Sequence, residues 1–154
     1  MSDDFRAVTT NRKAFHDYHI LERFEAGIEL EGSEVKSLRE GRANLKDSYA
    51  RVINGEVFLI GCHIAPYSHT GFMGHEPYRE RRLLLNHREI RKLERNVVIK
   101  NHTIIPLKIY FKRGWAKVEI ALAKGKRSYE KKTALSEKDQ KRAMERELKG
   151  RGNQ

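Results

Sequence analysis

The sequence predicts a mainly β protein of the α+β class, in which an antiparallel barrel of about six strands carries short peripheral helices and a basic C-terminal tail. Three observations predict this fold. Apolar and polar residues alternate from Tyr18 to Leu30, which is the period of a half-buried strand. Two later segments, 49–64 and 105–122, have the pattern of hairpins. From Lys124 onward, eleven Lys and Arg stand against five Asp and Glu, which is typical of a basic arm.

The composition indicates one domain whose natural partner is a polyanion. The 154 residues suffice for one sizeable core, and the net charge of +11 favours nucleic acid. A membrane partner is disfavoured, because the chain has neither a long apolar run nor an apolar signal core at its N-terminus. Cys62 is the only cysteine, which excludes an internal disulfide and fits a reducing compartment. We therefore expect a monomeric, cytoplasmic protein that holds neither a metal nor another cofactor.

We divide the chain into three regions, the last of which is set apart by its basic charge. We expect a flexible N-terminus over residues 1–10 and a barrel domain over residues 11–126. The basic tail covers residues 127–154 and has too few apolar side chains to pack stably on the body, so we expect it to be disordered when free and to become helical on an RNA surface.

The first strand of the barrel domain runs directly into a short helix. The alternation ends at Gly32, and Val35 and Leu38 then follow at the i, i+3 spacing of a helix that begins near Ser33 and stops at Gly41. Its opposite face carries two cations, Lys36 and Arg39.

Two hairpins complete the predicted sheet. The Asn54-Gly55 pair supplies the positive φ angles of a two-residue type I′ turn. The strands on either side of it are apolar on both faces, so the sheet needs cover on both sides, which a closed barrel with outer helices provides. In the second hairpin the apolar positions Ile105, Leu107, Ile109 and Phe111 alternate, and Pro106 predicts an edge or a bulge.

The segment between the hairpins contains a loop and a helix. Residues 65–82 read as a long loop, in which we expect His69 and His75 to be mobile rather than metal ligands. Asn86 is a plausible N-cap, and the helix after it has a buried stripe at i, i+3, i+7, formed by Ile90, Leu93 and Val97.

Five or six antiparallel strands with at least two short helices suit an OB-like barrel, whose open face commonly binds nucleic acid. Such a site combines cations for phosphates with aromatic faces for bases. Chemistry alone suggests as phosphate contacts Arg12, Lys13, Lys36, Arg39, Lys117 and Lys124, and as stacking residues Tyr18 and Tyr49. An enzyme is disfavoured, because the acidic residues form no paired cluster and the histidines are scattered.

The stretch EAGIELEGSEVKSLREGRANLKDSYA closely resembles the signature of the small protein B family, the SsrA-binding proteins of bacterial ribosome rescue. The resemblance extends over about residues 11–132. It implies a protein that is not an enzyme, which holds the tRNA-like part of transfer-messenger RNA (tmRNA) and delivers it to stalled ribosomes.

The resemblance also implies which residues contact tmRNA. The NRKA-H-x-Y segment lies at the RNA face of the family, and it matches Asn11, Arg12, Lys13, His16 and Tyr18. The family's RKLLL-type motif places Leu84 at an RNA contact, and the FEAG match assigns Glu25 to recognition. From the residues alone, a solvated basic stretch is the favoured interpretation of the first segment, and the alternative for Glu25 is one partner of a surface ion pair.

In this family the tail enters the empty messenger channel of the small ribosomal subunit, near the rRNA of the decoding site. The residues that would make these contacts are Lys126, Arg127, Tyr129, Glu130, Lys131, Lys132, Lys138, Lys141, Arg142 and Met144. The chain departs from the family's acidic-Lys-Arg motif, which reads here Glu130-Lys131-Lys132, and Lys lacks the planar fork with which Arg binds phosphate.

Two other functions fit the same residues less well. One is a structural ribosomal protein or general single-stranded RNA-binding protein, which would not prefer one folded RNA. The other is an RNA-processing enzyme, which metal-dependent cleavage of RNA by the pure protein would reveal.

Overall fold

The computed structural model describes residues 5–67 and 74–126. This part of the chain is mainly β, with three helices. The elements in chain order are β1 (Phe5–Thr10), α1 (Arg12–Asp17), β2 (Tyr18–Ile28), α2 (Gly32–Arg39), β3 (Ala43–Asn44), β4 (Tyr49–Ile53), β5 (Glu56–Ile60), β6 (His63–Ile64), β7 (Arg81–Leu84), α3 (His87–Lys100), β8 (Thr103–Lys112) and β9 (Trp115–Gly125). None of the helices in these two ranges is long and apolar enough to cross a membrane.

Seven strands form one antiparallel sheet in the order β1-β8-β4-β5-β7-β2-β9, and β9 also pairs with β8. The strand β8 therefore borders three others, namely β1, β4 and β9. The short strands β3 and β6 make a separate pair.

The sheet has an apolar cluster on each of its faces. The larger cluster, which we call the main core, contains Phe24, Val57, Leu93 and Ile120 among its buried members. A smaller cluster on the other face joins Ala14 of α1 to buried residues of β8 and β9, namely Ile105, Leu107, Ala121 and Ala123. The smaller cluster covers the second face at β8 and β9 and contains no residue of β4 or β5, the strands for which cover on both faces was predicted.

Both predicted hairpin turns are present, and each needs two residues in the left-handed region. The φ angles are 51° at Asn54 and 77° at Gly55 in the first turn, and 52° at Arg113 and 81° at Gly114 in the second. The predicted N-cap at Asn86 is also confirmed, since its side chain accepts a hydrogen bond from the Glu89 amide at 2.9 Å.

The predicted bulge lies where Pro106 suggested, and it corrects the interpretation of the strand around it. The β8–β9 register shifts between Pro106 and Lys108. One extra residue moves all later side chains to the other face, so Ile105 lies in the smaller cluster whereas Ile109 and Phe111 lie in the main core. The four apolar positions of β8 therefore do not share one face, as strict alternation predicted.

The N-terminal region differs from the prediction in two ways. Residues 1–10 were expected to be flexible, but Phe5–Thr10 forms β1 and pairs with β8. The NRKAFH segment forms the helix α1, in which the Asn11 side chain caps the Ala14 amide at 3.3 Å. A six-residue helix with one buried side chain has too little periodicity to be read from the sequence.

The expectation that His75 is a mobile loop residue is wrong, whereas His69 lies outside the described residues. The ring of His75 is buried, with Nε2 2.8 Å from the Ile64 carbonyl oxygen and Nδ1 2.9 Å from Ser33 Oγ. Because a carbonyl only accepts, Nε2 carries a proton and donates it, while Nδ1 shares a hydrogen bond with the serine hydroxyl. His75 thus joins α2 to β6.

Candidate nucleic-acid interface

Strand alternation places a row of functional side chains across the outer face of the sheet, opposite the main core. On β2, Phe24 and Ala26 point into the main core, so Glu25 and Gly27 lie on the outer face. Residues that pair directly across strands share a face, and Gly27 pairs with Leu84 on one side and with Lys117 on the other. The row therefore joins three predicted site residues, namely Glu25, Leu84 and Lys117.

The row continues onto β8 through Tyr110, which pairs with Lys117. Its hydroxyl donates a hydrogen bond to Glu25 Oε2, and Lys112 Nζ lies 3.4 Å from the same oxygen. The hydrogen bond from Tyr110, followed by the cation Lys112, lowers the pKa of Glu25. Burial first, and then the bond to Glu25, raises the pKa of Tyr110, so its phenol stays protonated.

Glu25 is therefore an ionised acceptor that two neighbours hold in place. The ion pair with a neighbouring cation is present, as one of the two interpretations of this residue predicted. The Glu25 side chain nevertheless remains 41% exposed, so its carboxylate still has lone pairs open to an incoming donor.

An aromatic pair extends this face to β1, and sequence reasoning missed it. Phe5 stacks on Tyr110 with the ring centroids 4.8 Å apart, and Lys108 Nζ lies 5.2 Å from the centroid of Phe5. Phe5 is 45% exposed, so its ring is open to a stacking partner. The sequence signal was a single phenylalanine in a segment interpreted as flexible, and Tyr110 is brought beside it only by the bulge.

Leu84 is an exposed apolar side chain whose position depends on a glycine. It lies on β7 with 44% of its surface exposed, directly beside Gly27. A Cβ on Gly27 would lie 3.3 Å from the Leu84 Cβ. The absence of a side chain at Gly27 therefore makes room for Leu84. A leucine held open to solvent beside two charged groups suits an apolar contact with a nucleotide.

A second group of predicted residues lines a surface pocket of about 320 Å³ beside α1, and it contains Asn11, Lys13, Tyr18 and Tyr49. Asn11 is buried, and its amide donates to the Pro106 carbonyl oxygen at 2.9 Å, so it holds α1 against the bulge of β8. Lys13 Nζ forms an exposed ion pair with Asp47 at 3.2 Å. The exposed Arg12 precedes it on the same helix.

The remaining predicted residues do not share one surface. His16 Nδ1 lies 2.8 Å from Asp17 Oδ1. On α2, Lys36 lies over the Tyr67 ring and Arg39 over the Phe111 ring, which belongs to the main core and not to the outer face. Lys124 is exposed near the end of β9 and pairs with His19 of β2.

Only the start of the predicted tail falls within the described residues. The Lys126 amide donates to the Asp17 carbonyl oxygen at 2.8 Å, and its Nζ donates to the Phe15 carbonyl oxygen at 3.2 Å, so Lys126 fastens the end of the body to α1. The other predicted tail residues lie outside the described ranges: Arg127, Tyr129, Glu130, Lys131, Lys132, Lys138, Lys141, Arg142 and Met144.

The comparison with known families gives a match that covers most of the chain. The family model of the SmpB protein matches residues 8–150. The chain belongs to the SmpB family. A curated SmpB relative from Sulfurihydrogenibium sp., named SsrA-binding protein, is 58% identical over 146 residues, which cover 95% of this chain and 96% of the relative.

Further relatives agree with this assignment. The SsrA-binding proteins of Syntrophobacter fumaroxidans and Persephonella marina are 55% and 53% identical, and each alignment covers 95% of this chain, with 91% and 96% of the relative. A solved SmpB chain, described as "tmRNA-SmpB: a journey to the center of the bacterial ribosome", superposes with a TM-score of 0.67 at 47% identity and covers 88% of this chain and 93% of that one. The family resemblance seen in the sequence is thus confirmed.

Proposed function

We propose that this SmpB-family chain is an SsrA-binding protein, which binds the tRNA-like domain of tmRNA and delivers it to stalled bacterial ribosomes for peptide tagging. It acts as a binding factor rather than an enzyme, in the cytoplasm where ribosomes work. The names of the relatives and the ribosomal setting of the solved SmpB chain support this function. The observation that carries it is the row across the outer face, where Leu84, Glu25 and Lys117 meet.

The scaffold of this function is an OB-like closed barrel within residues 11–126. Six strands support it, since the pairings run from β8 through β4, β5, β7, β2 and β9 and return from β9 to β8. A sheet whose edges meet in this way resists bending, so the row on its outer face keeps its spacing when RNA binds.

Each member of the row has a distinct task toward the RNA. Lys117 attracts phosphate, and Leu84 gives an apolar contact against an exposed base or sugar. Glu25 accepts a hydrogen bond from a base amino group, which is a contact that discriminates between nucleotides. Phe5, stacked on Tyr110 under Lys108, offers a ring face for a splayed base.

The tail performs the ribosomal part of the function. Residues 127–154 enter the vacant messenger channel of the small subunit, near the decoding site. The eleven Lys and Arg from Lys124 onward support the binding of this tail to a channel that is lined with phosphate groups. Tyr129 and the cations after it make the rRNA contacts.

The direct test is an RNA-binding comparison with the full chain. Leu84→Asp places a carboxylate where phosphate approaches, so we expect the Kd for tmRNA to rise by about tenfold or more. The matched control is Val98→Asp on α3, which is also an exposed apolar residue but lies on the main-core side. Equal affinity of the wild-type protein for tmRNA and for an unstructured RNA of the same length contradicts the proposed function.

A further inference from the structure

The hairpin that joins β8 to β9 presents the single tryptophan of the chain to solvent. Trp115 is the first residue of β9, directly after the turn formed by Arg113 and Gly114, and 74% of its surface is exposed. Among residues 5–67 and 74–126, no aromatic ring or cation packs on its indole. A tryptophan that only stabilised the hairpin would pack across the strands and lose most of this exposure, so the ring is available to a partner.

Trp115 belongs to a second cross-strand line, which lies beside the outer-face row. Phe5 of β1 pairs with Lys112 of β8, and Lys112 pairs in turn with Trp115 of β9. Direct cross-strand partners share a face, and Lys112 lies two residues from Tyr110 on the same strand. The line is therefore on the outer face, and we call Phe5, Lys112 and Trp115 the aromatic line.

The aromatic line places two open rings at a defined spacing with a cation between them. Its members lie on three neighbouring strands, so the strands that carry the two rings are about 10 Å apart. The Phe5 ring is 45% exposed and is supported by Tyr110, with the ring centroids 4.8 Å apart. The Lys112 side chain between the two rings is 46% exposed.

The charges around the aromatic line favour a nucleic acid over an apolar segment of another protein. Arg113 is exposed at the turn, Lys117 follows two residues after Trp115, and Lys108 Nζ lies 5.2 Å from the centroid of Phe5. An apolar protein contact would take these cations out of water without a counter-charge. Rings that alternate with cations are instead typical of a surface on which unpaired bases stack while the phosphates lie between them.

The two parts of the outer face therefore make different demands on an RNA. Glu25 discriminates between bases through hydrogen bonds, whereas a ring accepts any base, because every base has a π face. A double helix keeps the faces of its bases stacked on one another, so only unpaired bases can occupy the rings. We infer that the aromatic line is a stacking site for two unpaired nucleotides of tmRNA, with Lys112 at the phosphate between them.

The identity of the RNA in this inference rests on the proposed function, and the single tryptophan gives a direct test. The indole emission of the full chain reports on Trp115 alone, and a base stacked on the indole quenches it. Titration with tmRNA should quench most of this emission at saturation. A blunt-ended RNA duplex binds the same cations at low salt and should leave the emission nearly unchanged. Equal quenching by the duplex contradicts stacking.

Substitutions separate stacking from a simple apolar contact. Trp115→Leu keeps an apolar side chain but removes the ring, so the Kd for tmRNA should rise by about tenfold. The slope of log K against log salt should not change, because no phosphate contact is lost. Trp115→Phe keeps a ring face and should stay within about threefold of the wild type.

The matched control is Tyr78→Leu, which removes another exposed ring. Tyr78 is 58% exposed and lies beside His63 of β6, away from the aromatic line. Its loss should change the Kd for tmRNA by less than about twofold. Both positions are exposed, so circular dichroism should show the same fold for all variants. Wild-type affinity of Trp115→Leu, or an equal loss in Tyr78→Leu, contradicts the inference.

The outcomes also distinguish this inference from the proposed function. If the wild type prefers tmRNA over an unstructured RNA of the same length but its emission is not quenched, the stacking site is refuted and the proposed function stands. If both RNAs quench the emission and bind with equal affinity, the rings do take unpaired bases, whereas the proposed function fails.

Discussion

At the scale of single residues, Glu25 shows how a carboxylate stays ionised and oriented on a basic surface. Tyr110 and Lys112 fix its orientation and lower its pKa, so the acceptor is ionised and needs little reordering when a donor arrives. Glutamine at this position keeps the shape but loses the charge and one acceptor oxygen.

We expect Glu25→Gln to raise the Kd for tmRNA by about tenfold, because a hydrogen bond to a charged group contributes about 1.5–3 kcal/mol. The readout is equilibrium binding to labelled tmRNA. The matched control is Glu22→Gln on the same strand, whose side chain lies on the main-core side next to Lys92. A loss of the same size in the control would mean that overall charge, and not this carboxylate, decides affinity.

A second residue-scale prediction concerns Glu34, which is fully buried with Arg81. Glu34 Oε2 lies 2.5 Å from Arg81 Nε, and Oε1 lies 2.6 Å from an Arg79 guanidinium nitrogen. Burial alone would raise the pKa of Glu34, but the hydrogen bonds, first from Arg79, hold it below its ordinary value of 4.5. Glu34→Gln leaves Arg81 without a counter-charge, so we expect a loss of about 3 kcal/mol in the free energy of unfolding.

Urea denaturation measures this loss, and the exposed pair of Arg82 with Glu29 gives the control. Glu29→Gln should cost less than about 1 kcal/mol. Because the folded pKa of Glu34 lies below the unfolded one, its contribution is complete above the ordinary value and is lost as pH falls through the lowered pKa. The difference between wild type and Glu34→Gln should therefore shrink on acidification, and a constant difference would contradict this origin.

What the sequence predicted at this scale depended on how local the signal was. Glu25 and Leu84 were predicted only through the family resemblance, since neither residue type in its own context indicates RNA. Phe5 and Tyr110 were missed, because the bulge in β8 and the pairing of β1 bring them together across more than a hundred residues of chain. Long-range register of this kind leaves no local pattern.

At the scale of elements, α3 is the part that the sequence predicted best. Its N-cap, buried stripe and outward cations all follow from a 14-residue helix whose signals are local. By contrast, α1 depends on Asn11 and on packing against β8, which the sequence pattern does not reveal. Short elements are thus determined by their neighbours, and long ones by their own periodicity.

The cap of α3 gives an element-scale prediction about stability. We expect Asn86→Ala to lower the free energy of unfolding by about 1 kcal/mol, because the Glu89 amide loses its acceptor. Asn96→Ala is the control, since Asn96 lies within the same helix and alanine improves helix propensity there. Thermal unfolding followed by circular dichroism compares them, and an equal or larger loss in the control would exclude capping as the cause.

The tail gives the second element-scale prediction, which tests the division of labour between the body and residues 127–154. Truncation after Tyr129 should leave the tmRNA Kd within about twofold, because the outer-face row is intact, yet abolish peptide tagging on stalled ribosomes. Gel-shift binding and a reconstituted tagging assay measure the two effects separately. Loss of tmRNA binding at both low and moderate salt would show that the tail contributes to RNA capture.

At the scale of the whole molecule, the net charge determines the attraction to RNA, and the sheet determines the spacing of the residues that contact it. The net charge of +11 acts over the whole surface, but only side chains fixed on rigid strands or helices are held at a constant spacing. The outer-face row lies on one side of the sheet, and helix α3 packs on the main core at the other side. The sequence predicted the charge and the strand pattern, whereas the row itself became visible only with the strand order.

A salt titration separates these two contributions in the intact protein. Binding of tmRNA should weaken steeply as salt rises, with a linear log–log plot, because released counterions dominate the non-specific part. Glu25→Gln should shift this line without changing its slope, since a base contact releases no counterions. A changed slope in that variant would show that Glu25 acts through its charge on nearby phosphate groups and not through a base contact.

The pairing of β1 with β8 has a consequence for how the protein is made. Phe5–Thr10 leaves the translating ribosome well before its partner Thr103–Lys112, which emerges roughly a hundred residues later. During this interval the opening strand has an unsatisfied edge and an exposed phenylalanine, which are features that invite misassociation of a nascent chain. A rescue factor of this design therefore depends, in its own biogenesis, on uninterrupted synthesis of almost its entire body.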